Sequence, residues 1–134
     1  MGEYIECLIV ELFDRKNTHD LSKLKQPEKN IFIEYAPKLK KTEYGSNEYK
    51  KYLFEMNKAL KHHYQNNRHH PEHHENGIKD MNLVDIIEML CDWIAATERM
   101  KDGDIYKSIE INQKRFSYSD ELRQILINTI EYLK

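Results

Sequence analysis

Six of the seven histidines in this 134-residue chain fall within the stretch "HHYQNNRHHPEHH", residues 62–74. Neutral imidazole is the commonest protein metal ligand and the usual general acid or base near neutral pH, so the stretch allows either chemistry. His69 and His73 are four residues apart, as are His70 and His74, although Pro71 means that the spacing need not be helical. A histidine-rich tract that picks up metal adventitiously would have the same count. Here the imidazoles are internal and mixed with Asn66, Asn67, Arg68 and Glu72, a mixture that suits an anion-binding metal centre. The seventh histidine, His19, precedes Asp20 in "HDLSK", where Asp20 also suits a helix cap. A third set, Asp85, Glu88 and Asp92, stands at i, i+3 and i+7, on one side of a helix. Asp85 reads as part of a solvated face. Asp92 lies among apolar neighbours in "MLCDWIAA", and a buried carboxylate there needs a cation, a proton or several donors. Glu88, one turn earlier, suits the orientation of a histidine.

Helices must position these groups. Ile5, Leu8, Ile9, Leu12 and Phe13 recur at helical spacing and predict an amphipathic helix over 3–15, followed by cap chemistry at Asn17 and Thr18. Pro27 and Glu28 look like a helix start, and Pro37 is expected to close that helix before a lysine-rich connection containing Gly45. In "SNEYKKYLFEMNKALKHHYQ", Tyr49, Leu53, Met56, Leu60 and His63 recur at steps of four and three. His63 thus continues a buried face, whereas His62 lies about 100° away. Residues 66–80 lose all periodicity and predict a loop, with 63–80 as a histidine-rich active-site segment. Asn82 and Asp85 suggest a capping box, opening a helix whose core stripe is Leu83, Ile86, Ile87, Leu90 and Ile94. A weaker pattern over 104–116 holds Tyr106, Ile109 and Phe116. Ser119 can cap a final helix carrying Leu122, Ile125, Leu126, Ile130 and Leu133. The expected architecture is all-α, one domain over 1–134, with five or six helices.

Composition bounds the function. Hydrophobic residues make up 40% and charged residues 33%, with only four glycines and three prolines, which favours long helices over a many-stranded sheet. A formal charge of −2 offers no basic field for nucleic acid. No apolar run approaches a membrane span and no signal peptide opens the chain, so a cytoplasmic location is expected. Cys7 and Cys91 are expected to be buried, reduced thiols rather than a disulfide or zinc pair. A monomer and a homodimer are both compatible with the exposed tyrosines and lysines.

The three elements together resemble the HD-domain metal-dependent phosphohydrolases, an all-α superfamily. "HDLSK" resembles the "HDxGK" form of its HD-GYP-type phosphodiesterases, "RHHPEHHENG" is similar to their "HHE…DG" loop, and "CDWIAATER" to the segment that carries the superfamily's last aspartate, here Asp92. The order "HDLSK…PE…HHYQNNRHHPEH…IEMLCDWIAA" also resembles a small phage and bacterial family of unknown function. These resemblances cover residues 3 to about 100. The superfamily's first metal histidine should precede the doublet, yet residues 1–18 contain none. Either the chain starts late relative to its relatives, or His63 and the loop histidines supply the missing ligand. "GYP" is absent, so a cyclic dinucleotide is not supported.

The resemblance implies one or two divalent transition ions (Mn, Fe, Co, Ni or Zn). His19, Asp20 and Asp92 would hold the first, and Asp20 would bridge to a second held by His63, His69 and His70, with His73 in reserve. His62 and His74 would stay in solvent or behind the ligands. Lys23 would bind a phosphate oxygen and Arg68 would be a second clamp. Glu72 or Glu88 would accept a proton or orient a ligand. The implied activity is hydrolysis of a nucleotide or another small phosphoester. The alternatives are a metal-containing helical binding protein without turnover, such as a phage-encoded modulator of host nucleotide signalling, and a helical domain whose histidines only decorate a loop.

Overall fold

The computed structural model describes residues 1–43 and 46–134, and every regular element among them is helical. Seven α-helices follow in order: α1 (Gly2–Thr18), α2 (Glu28–Lys41), α3 (Asn47–Glu55), α4 (Asn57–Asn66), α5 (Leu83–Glu98), α6 (Ile105–Phe116) and α7 (Asp120–Leu133). Short 3-10 turns cover Leu21–Leu24, Pro71–His73 and Gly77–Asp80. One helix more than expected arises because the long pattern over 46–65 pauses at Met56. That residue is buried and caps α3, while its carbonyl still accepts the Leu60 N–H at 3.0 Å, so the register carries through to His63. Pro37 lies inside α2 rather than at its end, and the lysine-rich stretch Lys38, Lys40 and Lys41 is that helix's last turn. Cations there complement the partial negative charge of the helix C-terminus. Gly45 lies outside the described residues.

The molecule has two differently built halves, and α5 serves both. One face of α5 meets α6 and α7 in an apolar core of Leu90, Ile109, Tyr118, Leu126 and Ile130, with Trp93 and Ile94 packed against it. Ser119 caps α7 through its hydroxyl, and Asp104 caps α6. Gly103 passes the chain so close to Thr97 that a Cβ there would stand 1.7 Å from the Thr97 carbonyl oxygen. The opposite half packs α1 against α5 and α2 against α4, and its interior is polar: Glu28, His63, Asn67, His69, Asp85 and Glu88 are all buried.

Four sequence expectations change here. The α5 stripe is rotated: Leu83 and Ile87 are exposed, whereas Val84, Asp85, Glu88, Met89 and Leu90 are buried. Asp85 is therefore not a solvated acid but fully inaccessible, because Arg15 and Arg68 neutralise it. The apolar stripe of α1 stays largely open, with Ile5, Leu8, Ile9 and Phe13 exposed, and the helix runs to Thr18. Cys7 and Cys91 are free, as expected, but exposed rather than buried. No helix among the described residues is long and apolar enough to cross a membrane.

Candidate metal centre

Four separate elements bring their side chains together around Asp20. α1 ends at Thr18, and His19 and Asp20 form the corner into the first 3-10 turn, with Asp20 in the left-handed region (φ 55°, ψ 18°). Aspartate tolerates that conformation better than most non-glycine residues, and such backbone outliers concentrate at functional sites. The corner lets the two carboxylate oxygens of Asp20 face different ways. Oδ1 lies 3.3 Å from His63 Nε2 and 3.5 Å from His69 Nε2. Oδ2 lies 3.5 Å from His19 Nε2 and 2.5 Å from Lys23 Nζ. His70 Nε2 completes the first group at 2.9 Å from His63 Nε2. Asp92 completes the second, its Oδ1 3.7 Å from His19 Nε2. In the groups Asp20–His63–His69–His70 and His19–Asp20–Asp92, one ligand atom of each residue lies within 4.8 Å of the others.

Those separations suit metal ligation. At bond lengths near 2.1 Å, adjacent ligand atoms stand about 3.0 Å apart in an octahedron and about 3.4 Å in a tetrahedron. The tautomers agree. Glu88 Oε1 lies 2.9 Å from His19 Nδ1 and 3.2 Å from His69 Nδ1, and Glu28 Oε2 lies 2.9 Å from His63 Nδ1. A carboxylate only accepts, so each Nδ1 carries the proton; His63 and His69 then turn an Nε2 lone pair toward Asp20, and His19 presents its Nε2 to Asp20 and Asp92. Asp20 Oδ1 and His69 Nε2 are buried and have no hydrogen-bond partner among the described residues. Two unpartnered lone pairs facing each other across 3.5 Å is unfavourable unless a cation or proton lies between them.

The surrounding charges are arranged to hold this set. Arg15 reaches from α1 to Glu88 Oε2 at 2.8 Å and to Asp85 Oδ1 at 3.1 Å. Asp85 also receives Arg68 at 2.9 Å and closes the capping box with Asn82. Burial raises the Asp85 and Glu88 carboxyls, but hydrogen bonds from Arg68 and Asn82 at Asp85, and from His19 and His69 at Glu88, outweigh it and hold both well below the usual range. Hydrogen bonds to Asp92 and then Glu88 push the His19 imidazole up to about 10. Burial, followed by the neighbouring His69 and His63, drives His70 down to about 3, leaving it a neutral donor of its lone pair.

His19, Asp20, His63, His69, His70 and Asp92 thus come together, and Lys23 stands at their edge. The other sequence candidates lie elsewhere. His73 Nδ1 bonds the Tyr64 carbonyl at 2.8 Å, and the residue belongs to none of the ligand groups. Glu72 pairs with Arg115 at 2.6 Å and belongs to none of the ligand groups. Arg68 pairs with Asp85 and so buttresses α5. Glu88 has both oxygens engaged and its acidity strengthened, so it orients histidines and is a poor proton acceptor. His62 sits behind the ligands, 2.7 Å from Glu28 Oε1, and His74 bonds the Arg68 carbonyl at 2.8 Å.

Arg15 and Glu28 were invisible as site residues. Glu28 reads locally as the first residue of a helix after Pro27, and Arg15 as one of several surface cations. Their partners lie 34 to 35 and 70 to 73 positions away, and no local pattern records such pairings.

A family model described as "Family of unknown function (DUF5662)" matches residues 2–132. No curated protein and no solved structure matches the chain.

Proposed function

We propose that this chain, which belongs to the DUF5662 family of unknown function, is a metal-dependent phosphohydrolase acting on a small phosphoester, a nucleotide or another. The observation that carries this reading is the facing pair of unpartnered lone pairs, Asp20 Oδ1 and His69 Nε2, at the centre of an imidazole and carboxylate cluster. Asp20, His63, His69 and His70 would hold one ion, and His19, Asp20 and Asp92 a second, with Asp20 common to both. This donor set fits Mn, Fe, Co, Ni or Zn better than Ca or Mg. Such ions, when bound, polarise phosphoryl oxygens and bring the pKa of water toward neutrality.

The chain's own residues do the rest. Glu28 and Glu88 fix the ring orientations, and Arg15 and Asp85 fix Glu88. Lys23, whose ammonium now rests on Asp20 Oδ2, is half-exposed and within reach of a phosphate oxygen beside the cluster. The meeting of the His19–Asp20 doublet with Asp92 agrees with the HD-domain resemblance. His63, His69 and His70 offer imidazoles that residues 1–18 lack, and this supports a complete ligand set in the absence of an earlier histidine.

The test joins metal analysis of untagged protein to phosphate release from a panel of mononucleotides and simple phosphoesters with added Mn. Wild type is expected to retain transition metal and release phosphate, and Asp20→Asn and Asp92→Ala to lose both. Equal phosphate release by wild type and Asp92→Ala defeats the hydrolase. Metal bound without turnover of any ester also defeats it and favours a metal-stabilised binding protein.

A further inference from the structure

A cavity of about 640 Å³ adjoins the cluster, and two of the candidate ligands, His63 and His70, line it directly. Its remaining wall is mostly apolar: Phe32, Ile33 and Ala36 from α2, Leu60 and Tyr64 from α4, and Leu24 from the first 3-10 turn. This wall runs into the ligand imidazoles. The Phe32 ring meets His63 edge-on at 6.1 Å, and the Tyr64 ring lies 5.1 Å from His70. Leu24 and Ile33 are 69% and 67% exposed, so large apolar side chains stand open at the mouth.

The polar lining is just as selective. Its charged groups are two cations, Lys23 and Lys29, and among the described residues no carboxylate or carboxamide lines the cavity. The Tyr64 hydroxyl feels the charge of Arg115, the guanidinium that also pairs with Glu72. An anion is therefore welcome at one end and an apolar body along the rest, but no carboxylate or carboxamide among the lining residues is placed to read the hydrogen-bonding edge of a base. Nucleobases are told apart by donors and acceptors on their edges, and a pocket without matching groups discriminates poorly.

We propose that this cavity seats the apolar, ring-sized alcohol portion of a phosphomonoester, recognised by shape, with the phosphate turned toward Lys23 and the Asp20 cluster. The proposal rests on the reading of that cluster as a phosphoester-binding metal site. It narrows the substrate class: a nucleoside can enter by its flat face, yet its base identity goes unread. Ile33 and Ala36, one turn apart on α2, become specificity-determining residues.

Benzylphosphonate and methylphosphonate test this, because they differ only in the ring and neither has an ester bond to cleave. Dissociation constants are measured by calorimetry on the full chain with Mn. The benzyl compound is expected to bind at least about tenfold more tightly, from burial of the ring. Ile33→Ser should weaken benzylphosphonate about fivefold and leave methylphosphonate within about twofold, and Ile33→Leu should restore the preference. Ala36→Trp, filling the cavity from an exposed position, should abolish it. Adenosine and guanosine 5′-monophosphate should bind within about threefold of each other.

Equal affinity for the two phosphonates, failure of both to bind, or a base preference above about tenfold overturns the proposal. Phosphate release from benzyl and methyl phosphate is followed in parallel. Tighter benzylphosphonate binding without any release removes the hydrolase and leaves the cavity assignment standing. Release from both esters with equal KM removes the cavity assignment and leaves the hydrolase.

Discussion

Glu88→Gln is the most informative single change, because one oxygen of Glu88 serves both ligand groups. Oε1 lies 2.9 Å from His19 Nδ1 and 3.2 Å from His69 Nδ1, while Oε2 takes Arg15 at 2.8 Å. Glutamine keeps the size but presents one acceptor and one NH₂ donor. If its carbonyl faces the imidazoles, the amide protons face the Arg15 guanidinium, and donor meets donor. If the amide is flipped, both histidines lose their acceptor, and presentation of Nε2 as the ligand atom is no longer enforced. Loss of the group that orients a metal histidine lowers affinity by about tenfold to hundredfold, or about 1.4–2.7 kcal/mol. Two histidines depend on this one oxygen, so the upper part of that range is expected for the first ion bound. The assay is competition for Mn or Co against a chelator of known affinity, paired with thermal unfolding with and without metal. Metal-dependent stabilisation should shrink by the same free energy. The metal-free protein should stay folded, since Arg15 retains Asp85 at 3.1 Å. Glu34→Gln, which removes only an exposed pair with Lys38, is the control. Unchanged metal affinity in a folded Glu88→Gln protein would refute the orientation argument and, with it, the tautomers on which the cluster is assigned.

Proton linkage gives a second expectation. The His19 imidazole is raised from 6.5 to about 10, so metal-free protein holds a proton there that a ligated ion must displace. Affinity at the His19–Asp20–Asp92 group should climb about tenfold per pH unit up to about pH 10 and flatten above it, with about one proton released per ion near pH 8. A flat dependence from pH 7 to 9 contradicts it. Asp85→Asn should destabilise the fold by about 2–4 kcal/mol in denaturant unfolding, because half-buried Arg15 and the α5 cap both lose the charge of the fully buried Asp85. The folded Asp85 carboxyl lies below its ordinary 3.8, so its stabilisation is complete above that value and fades as pH falls through the folded one. The variant's stability should accordingly vary less than wild type's on acidification below pH 4. His73→Gln and Glu72→Gln should leave metal content unchanged, since these side chains are occupied by the Tyr64 carbonyl and Arg115; metal loss in either reopens its place in the site.

The helices were largely legible because apolar periodicity is a local signal. The caps at Asn82 and Ser119 and the continuation of the buried face to His63 all follow from spacings of three and four. What spacing could not show is which side of a nearly all-apolar helix turns inward. In α5 the burial of Asp85 and Glu88 against Arg15 and two histidines decides the rotation, and those partners come from α1 and from the loop before α5. The same cause explains why spacing did not show the partners of Arg68, Glu72 and His73. Each sits in a segment without periodicity, where orientation depends on a distant partner: Asp85, Arg115 and the Tyr64 carbonyl.

The candidate centre itself follows from a single corner. Had α1 continued one turn beyond Thr18, His19 and Asp20 would project from a helix at successive 100° steps, and one carboxylate could not face both groups. The left-handed turn at Asp20 breaks that geometry, aiming Oδ1 at His63 and His69 and Oδ2 at His19. The corner is held by the Lys23 N–H, which donates to the Asp20 carbonyl at 2.9 Å, and by the Lys23 ammonium on Oδ2. Placing Asp20 there without a bound cation leaves a buried oxygen unpartnered and a non-glycine residue at positive φ. Both are unfavourable for a purely structural corner, and the proposed shared cation would pair the oxygen and hold the corner in place. That is why the cluster is better explained as a ligand set than as a polar core that happens to be rich in histidine.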